Sequence, residues 1–271
     1  MSISTLLHEQ MVKDLVYGWQ PDVPDKRDIV YSCTAPVEVP DAVTIKCPAV
    51  LNQLRVGSCV WNALAIAAQV HMLRQWAGKE KSWLPSRLFG YFNTRAIEGT
   101  VMVDSGCRIR DAIKVAARLG LVPEAEWPYV ETMVFKRPTL DCYNHAIRHQ
   151  VLRYERVPQV RNAIMQCLAE GWPIIFGAAL YTSFLSNEVA KTGDVPMPDL
   201  KKEKQEGGHA QLIRGYKTQR GQYHVRGSWS EKWGDKGDCW MPFEYIEDRD
   251  LCSDLWTVRW VERVDGEHPT T

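Results

Sequence analysis

Cys59 stands between Val56-Gly57-Ser58 and an apolar run, VWNALAIAAQV, that spans 60–70. If that run is a helix, the cysteine opens it, and the positive end of the helix dipole favours thiolate over thiol. A thiolate there is a nucleophile, but nucleophilic catalysis needs a base within hydrogen-bond reach and a donor for the oxyanion. A cysteine ahead of an apolar helix also reads as an inert core thiol. Other chemistry-bearing groups are sparse. His145 and His149 are four apart, a spacing able to hold a metal on a helix face, yet no third ligand accompanies them and they read as surface histidines. His224 in QYHVRG reads as a strand-face residue. The chain carries no HExxH, no GxSxG elbow and no Gly-rich phosphate loop. Its eight cysteines include no CxxC pair, so buried free thiols are expected, not a disulfide framework or a zinc site. No metal or organic cofactor is implied.

The elements that must position Cys59 come from a chain of 271 residues, enough for one large domain or two packed lobes. Lys and Arg number 33 against 33 Asp and Glu, so nothing favours nucleic acid or an anionic membrane as partner. No apolar run reaches membrane-spanning length. The first residues lack a basic start followed by an apolar block, so no signal peptide and a cytoplasmic location are expected. Residues 1–45 read as a prefix: a short amphipathic stretch over 4–16, then QPDVPDKRDIV and TAPVEVPDAV, whose prolines and aspartates favour extended chain. The expectation is that this prefix packs across the helical lobe as structure and is not a removable inhibitor. Helices are expected at 59–76, 85–97, 108–120 and 158–170, with Pro85 near one start and Gly120 and Gly171 at two ends. WPIIFGAALY, HAQLIRGY, QYHVRGSW, DCWMPFEYI and LWTVRWVERV read as strands. Helices followed by strands imply an α+β protein, with a helical lobe over 46–150, a β-rich antiparallel lobe over 151–262 and a tail at 263–271. The charged run PDLKKEKQEGG, 198–208, reads as a surface loop able to act as a flap beside His209.

Four segments in order resemble the papain-like cysteine peptidases. They are NQLRVGSC at 52–59, SGCRIRDAIKVAARLGLVPEAEWPY from Ser105, GGHAQLIRGY around His209, and GSWSEKWGDKGDCWMP from Gly227. The resemblance covers about 45–262, and GWQPDVPDKRDIVY with PSRLFGYFNTR points to a branch found in bacteria, archaea and phages. It implies a two-lobed papain-like fold with a cleft between the lobes, and a cysteine-type peptidase acting on protein or peptide substrates. Cys59 would be the nucleophile, His209 the acid–base, and Gln53 a donor in the oxyanion hole. Ser105, Gly106, Cys107 and Ile109 would lie beside the substrate, and Trp229 would pack over the histidine. Virion association is implied if the chain is phage-encoded, and oligomeric state is not implied at all. The long helical inhibitory propeptide of secreted relatives is expected to be missing.

Three positions depart from the family pattern. Val60 replaces the aromatic residue after the nucleophile, with Trp61 one place later. Val56 replaces a common disulfide partner, in keeping with a reducing compartment. Gly227 replaces the asparagine that normally orients the histidine. A water, a backbone carbonyl, Ser228 or Ser230 would then have to take the ring N–H. The same residues also fit a catalytically weak or inactive module that binds peptides or a partner protein, and an acyl transferase or amidase using the same dyad.

Overall fold

The computed structural model describes residues 16–33, 38–75 and 82–261; the amphipathic stretch expected at 4–16 and the tail at 263–271 lie outside them, save Val16. In chain order the main elements are β1 (Trp19–Gln20), β2 (Ala42–Thr44), α1 (Cys59–Gln75), α2 (Arg87–Glu98), β3 (Cys107–Arg108), α3 (Ile109–Arg118) and α4 (Leu140–Ala146). There follow β4 (Val151–Arg156), α5 (Arg161–Ala169), β5 (Ile174–Tyr181), α6 (Asn187–Thr192), β6 (Gln205–Lys217), β7 (Gln222–Arg226), β8 (Asp238–Pro242), α7 (Phe243–Glu247) and β9 (Cys252–Val261). The architecture is α+β. Seven strands form one antiparallel sheet in the order β4-β9-β5-β6-β7-β8, with β2 added to β6.

Helix α1 is apolar on nearly all sides and is buried accordingly, from Cys59 to Met72 with one partial exception at Gln69. Its indole donor, Trp61 Nε1, bonds Thr94 Oγ1 of α2 at 2.8 Å. Helix α2 starts where Ser86 Oγ accepts the Phe89 N–H, and ends at Gly99 in the left-handed region. Strand β5 reads IIFGAALY and is buried over seven of its eight residues, as a central strand must be. The 13-residue β6 pairs with β5, β7 and β2, so it is the sheet's axis.

Several expectations change. Strand β4, VLRYER, was not foreseen because its buried face carries charge: Glu155 is buried and bonds Arg153 at 2.7 Å, with Arg259 of β9 at 3.5 Å. The strand expected over 238–246 stops at Pro242, after which 243–247 turns helical. Residues 205–208, expected in a flap, belong to β6 and pair with β5. Helix α4 ends at Ala146, so His145 and His149 share no helix; His145 Nδ1 meets Glu126 Oε1 at 2.7 Å. No disulfide joins the eight cysteines. Among the described residues no helix is long and apolar enough to cross a membrane.

Candidate active site

The turn that enters α1 is held by a network of buried and part-buried polar groups. Asp104 accepts the Gly57 N–H at 3.0 and 3.1 Å and the Tyr91 hydroxyl at 2.5 Å, and Tyr91 Oη in turn accepts the Gly106 N–H at 2.9 Å. On the other side Ser58 Oγ donates to Tyr129 Oη at 2.7 Å and accepts from Asn62 Nδ2 at 3.1 Å. Arg87 bonds Asn62 Oδ1 at 2.7 Å and Glu124 at 2.8 Å, with its guanidinium over the Tyr129 ring. Cys59 therefore sits at a helix start braced from two directions, fully buried.

Gln53 is equally buried; three contacts set its side-chain amide and others hold its backbone. Ser228 Oγ donates to Gln53 Oε1 at 2.7 Å, and Tyr129 Oη donates to the Gln53 carbonyl at 2.7 Å. The Gln53 N–H bonds the Ser228 carbonyl at 2.9 Å, joining the turn before α1 to the segment after β7. With Oε1 engaged, Nε2 is left to donate, to Val56 O at 3.1 Å and to Val16 O at 2.9 Å.

That last acceptor belongs to the prefix, which does not lie on the helical side alone, as expected, but runs over the thiol. Residues 16–20 form a strap. The Gly18 carbonyl accepts the Cys107 N–H at 2.7 Å, β1 pairs with β3 in parallel, and Gln20 Nε2 bonds the Ser105 carbonyl at 2.8 Å. The Ala210 N–H donates to Cys59 Sγ at 3.4 Å, and the Gly18 N–H, near enough to favour the thiolate, faces it from the strap. Only glycine fits here, since a Cβ on Gly18 would stand 1.8 Å from Gly57 O. Trp19 and Tyr17 seat on the sheet, against glycines of β5 and β6. Beyond the strap, Asp22 accepts from Trp256 Nε1 at 2.8 Å and Arg156 at 3.1 Å, and Asp28 meets Arg110 at 2.5 Å. The chain after the strap is thus tied to α3, β4 and β9. Burial and the neighbouring Asp254 carboxylate raise the Asp22 carboxyl to about 6.

Under the strap, burial outweighs the helix dipole. The Cys59 thiol is pushed up to about 11 by desolvation, against the smaller downward pull of the N–H groups around it. His209 on β6 is also fully buried, and desolvation lowers its imidazole to about 3. Its ring stacks on Trp229 with centroids 4.6 Å apart, and neither nitrogen has a hydrogen-bond partner. The closed site thus holds a neutral thiol beside the strand that carries a neutral imidazole, with no bond between them.

The residues expected beside a substrate divide. Ser105, Gly106 and Cys107 touch the strap through backbone atoms, and Gly106 at φ 72 leaves no room for a Cβ beside Gly18. Ile109 is buried in the core at the start of α3. His224 stacks on Trp240 at 4.2 Å, and its Nε2 meets Asp238 at 3.1 Å, in a cluster with Arg226 and Arg214. Asp104, Tyr91, Tyr129 and the strap itself went unforeseen. Their one sequence signal was glycine at 18, 57 and 106, none of them in an obvious hairpin. Among the described residues no cluster of His, Cys, Asp and Glu has the makings of a metal site.

A family model described as papain family cysteine protease matches residues 41–252. The chain is 30% identical to the uncharacterized peptidase C1-like protein L477 of Acanthamoeba polyphaga mimivirus, over 90% of this chain and 86% of that one. Xylellain, a cysteine protease from Xylella fastidiosa, superposes with a TM-score of 0.84 at 37% identity, covering 90% of this chain and 95% of its own. A Carica candamarcensis cysteine protease in complex with E-64 shares the fold at 16% identity, with a TM-score of 0.62 over 83% of this chain and all of that one.

Proposed function

The chain belongs to the papain family of cysteine proteases and is a cysteine-type peptidase; on that footing we propose that it hydrolyses peptide bonds through Cys59 and His209, and that its own strap holds it latent. The carrying observation is that a peptide already lies over the thiol, with its Val16 carbonyl on Gln53 Nε2 and its Gly18 carbonyl on the Cys107 N–H. An extended substrate would use the same donors.

With the strap away, water and substrate reach the site and the desolvation of Cys59 and His209 is relieved. The thiol proton passes to His209, giving a thiolate–imidazolium pair assisted by the helix dipole. The thiolate attacks the substrate carbonyl, and the oxyanion is met by Gln53 Nε2 and the Cys59 N–H. His209 returns its proton to the leaving amine, and water then hydrolyses the thioester. Trp229 covers the imidazole, while Ser105, Gly106 and Cys107 line the substrate; Ile109 supports that wall from the core. A cytoplasmic, reducing location accords with eight cysteines that form no disulfide.

The test is hydrolysis of a peptide library, with labelling of Cys59 by E-64. Activity is expected to vanish in Cys59→Ala and His209→Ala and to fall by about 10²-fold or more in Gln53→Ala. Turnover that survives Cys59→Ala would refute the reading. A second reading, a peptide-binding module of the same fold with little turnover, draws on His209, whose two nitrogens meet no acceptor. It predicts specific peptide binding with Cys59 inert to E-64 even after the strap is displaced.

A further inference from the structure

Gly227 cannot orient His209, and the other groups considered for that role are committed elsewhere. Ser228 Oγ donates to Gln53 Oε1 at 2.7 Å. Ser230 has φ 71, and its Oγ accepts the Lys232 N–H at 3.4 Å. A different side chain occupies the space. Strand β6 carries His209 and Gln211 two residues apart, hence on one face and roughly 7 Å apart along the strand. The register pairs Leu212 with Arg226, so the next step along sets Gln211 opposite Gly227. The Gln211 amide lies over that glycine, its Nε2 3.8 Å from where a Cβ on residue 227 would stand. Gln211 is 1% exposed, its Oε1 has no partner, and its Nε2 makes only a 4.0 Å contact with Cys239 Sγ. The buried face thus holds an unpartnered carboxamide oxygen and, one pleat away, an imidazole with two unpartnered nitrogens. Buried polar groups left in that state are costly and normally find one another.

We infer that Gln211 is the positioning residue for His209. Its carboxamide reaches from β6 into the space that the missing side chain at 227 leaves open. When the site opens, Oε1 accepts the N–H of the ring nitrogen turned away from Cys59. That contact selects one tautomer, fixes the ring plane against Trp229 and stabilises the imidazolium. Gln211 thus compensates for the departure at 227: the position that lost an amide faces a strand that supplies one, longer by one methylene. This inference rests on the reading of His209 as the acid–base.

The test uses the full chain carrying Gly18→Ala, whose Cβ would stand 1.8 Å from Gly57 O and so displaces the strap and opens the site; it is labelled with ¹⁵N-histidine, with His209 assigned by comparison with His209→Ala, and every variant is made in that background. Ring nitrogen shifts report the tautomer, and peptide hydrolysis reports kcat and KM across pH. In Gln211→Leu the single tautomer is expected to become a mixture. There kcat should fall between about 10- and 10²-fold, part of what a positioned acid–base supplies, with KM within about twofold. Moving the amide back, in the double variant Gln211→Val with Gly227→Asn, should restore both the tautomer and most of kcat. A folded Gln211→Leu with the tautomer and pH profile of the Gly18→Ala chain would overturn the inference. So would a double variant of wild-type stability that recovers neither, a result that counts even if Gln211→Leu fails to fold. A Gly18→Ala chain that hydrolyses no peptide would instead defeat the proposed function, while the ring spectra would still decide the role of Gln211.

Discussion

Gly18→Ala isolates the strap with one methyl group. Built on the observed backbone, the new Cβ would lie 1.8 Å from Gly57 O, 2.4 Å from its carbonyl carbon and 2.8 Å from its Cα. Non-bonded carbon contacts settle at about 3.5 Å, so the strap must retreat by roughly 1.5 Å, because Gly57 is itself pinned by Asp104. A shift of that size lengthens the Gly18 O to Cys107 N bond from 2.7 Å and the Val16 O to Gln53 Nε2 bond from 2.9 Å past any bonding distance. Two bonds go, at about 0.5–1.5 kcal/mol net each. The closed-to-open ratio then drops by about 5- to 150-fold. In the closed state the thiol sits at about 11 against an ordinary 9.0. Exposure alone therefore raises its thiolate fraction near neutral pH by about 10²-fold. The assay is carbamidomethylation of the native chain followed by mass mapping. Cys59 should be labelled faster in Gly18→Ala by about 10²-fold or more, ahead of the buried Cys107 and Cys167. The same protein should show higher peptide hydrolysis. Gly106→Ala meets the strap too, at 2.0 Å from Gly18 O, but its φ of 72 strains its own loop, which makes Gly18 the cleaner site. A folded Gly18→Ala chain with wild-type labelling at Cys59 would refute the reasoning.

Three further outcomes are expected. His71 is buried against Trp172 and held at about 3 by desolvation, against 6.5 when unfolded. Its stabilising share is thus complete above about pH 6.5 and is lost as pH falls toward 3, where the unfolded chain binds a proton that the native ring refuses. Urea titrations should therefore show wild type losing about 2 kcal/mol relative to His71→Leu between pH 7 and pH 5; parallel curves would contradict this. Gly90→Ala places a Cβ 2.3 Å from the Trp61 ring and should destabilise by about 1–3 kcal/mol through overpacking, read from the denaturation midpoint. Gly227→Ala meets nothing closer than Gly237 O at 3.4 Å and should be neutral or stabilising by about 0.4–1 kcal/mol; a large loss of melting temperature would show that residue 227 needs glycine for another reason.

What the sequence determined by itself was local or ordered along the chain. An all-apolar run made α1, and the cysteine that opens it marked the candidate nucleophile, because periodicity and helix dipoles act within a few residues. The order of four motifs carried the family. The limits appear where partners are far apart in sequence. Strand β4 hid because Glu155 is tolerable in a buried face only beside Arg259, 104 positions away. The strap hid because 16–20 carries no signal of its own; it docks where Gly57, Gly106 and the glycines of β5 and β6 meet. The ionisation of Cys59 followed the same rule: the helix start alone implies a lowered thiol, and burial under a segment 41 residues upstream raises it. Gln211 gained its role from strand register, which sets it opposite Gly227. Desolvation and cross-strand contact depend on which surfaces meet, and only the tertiary structure brings those surfaces together.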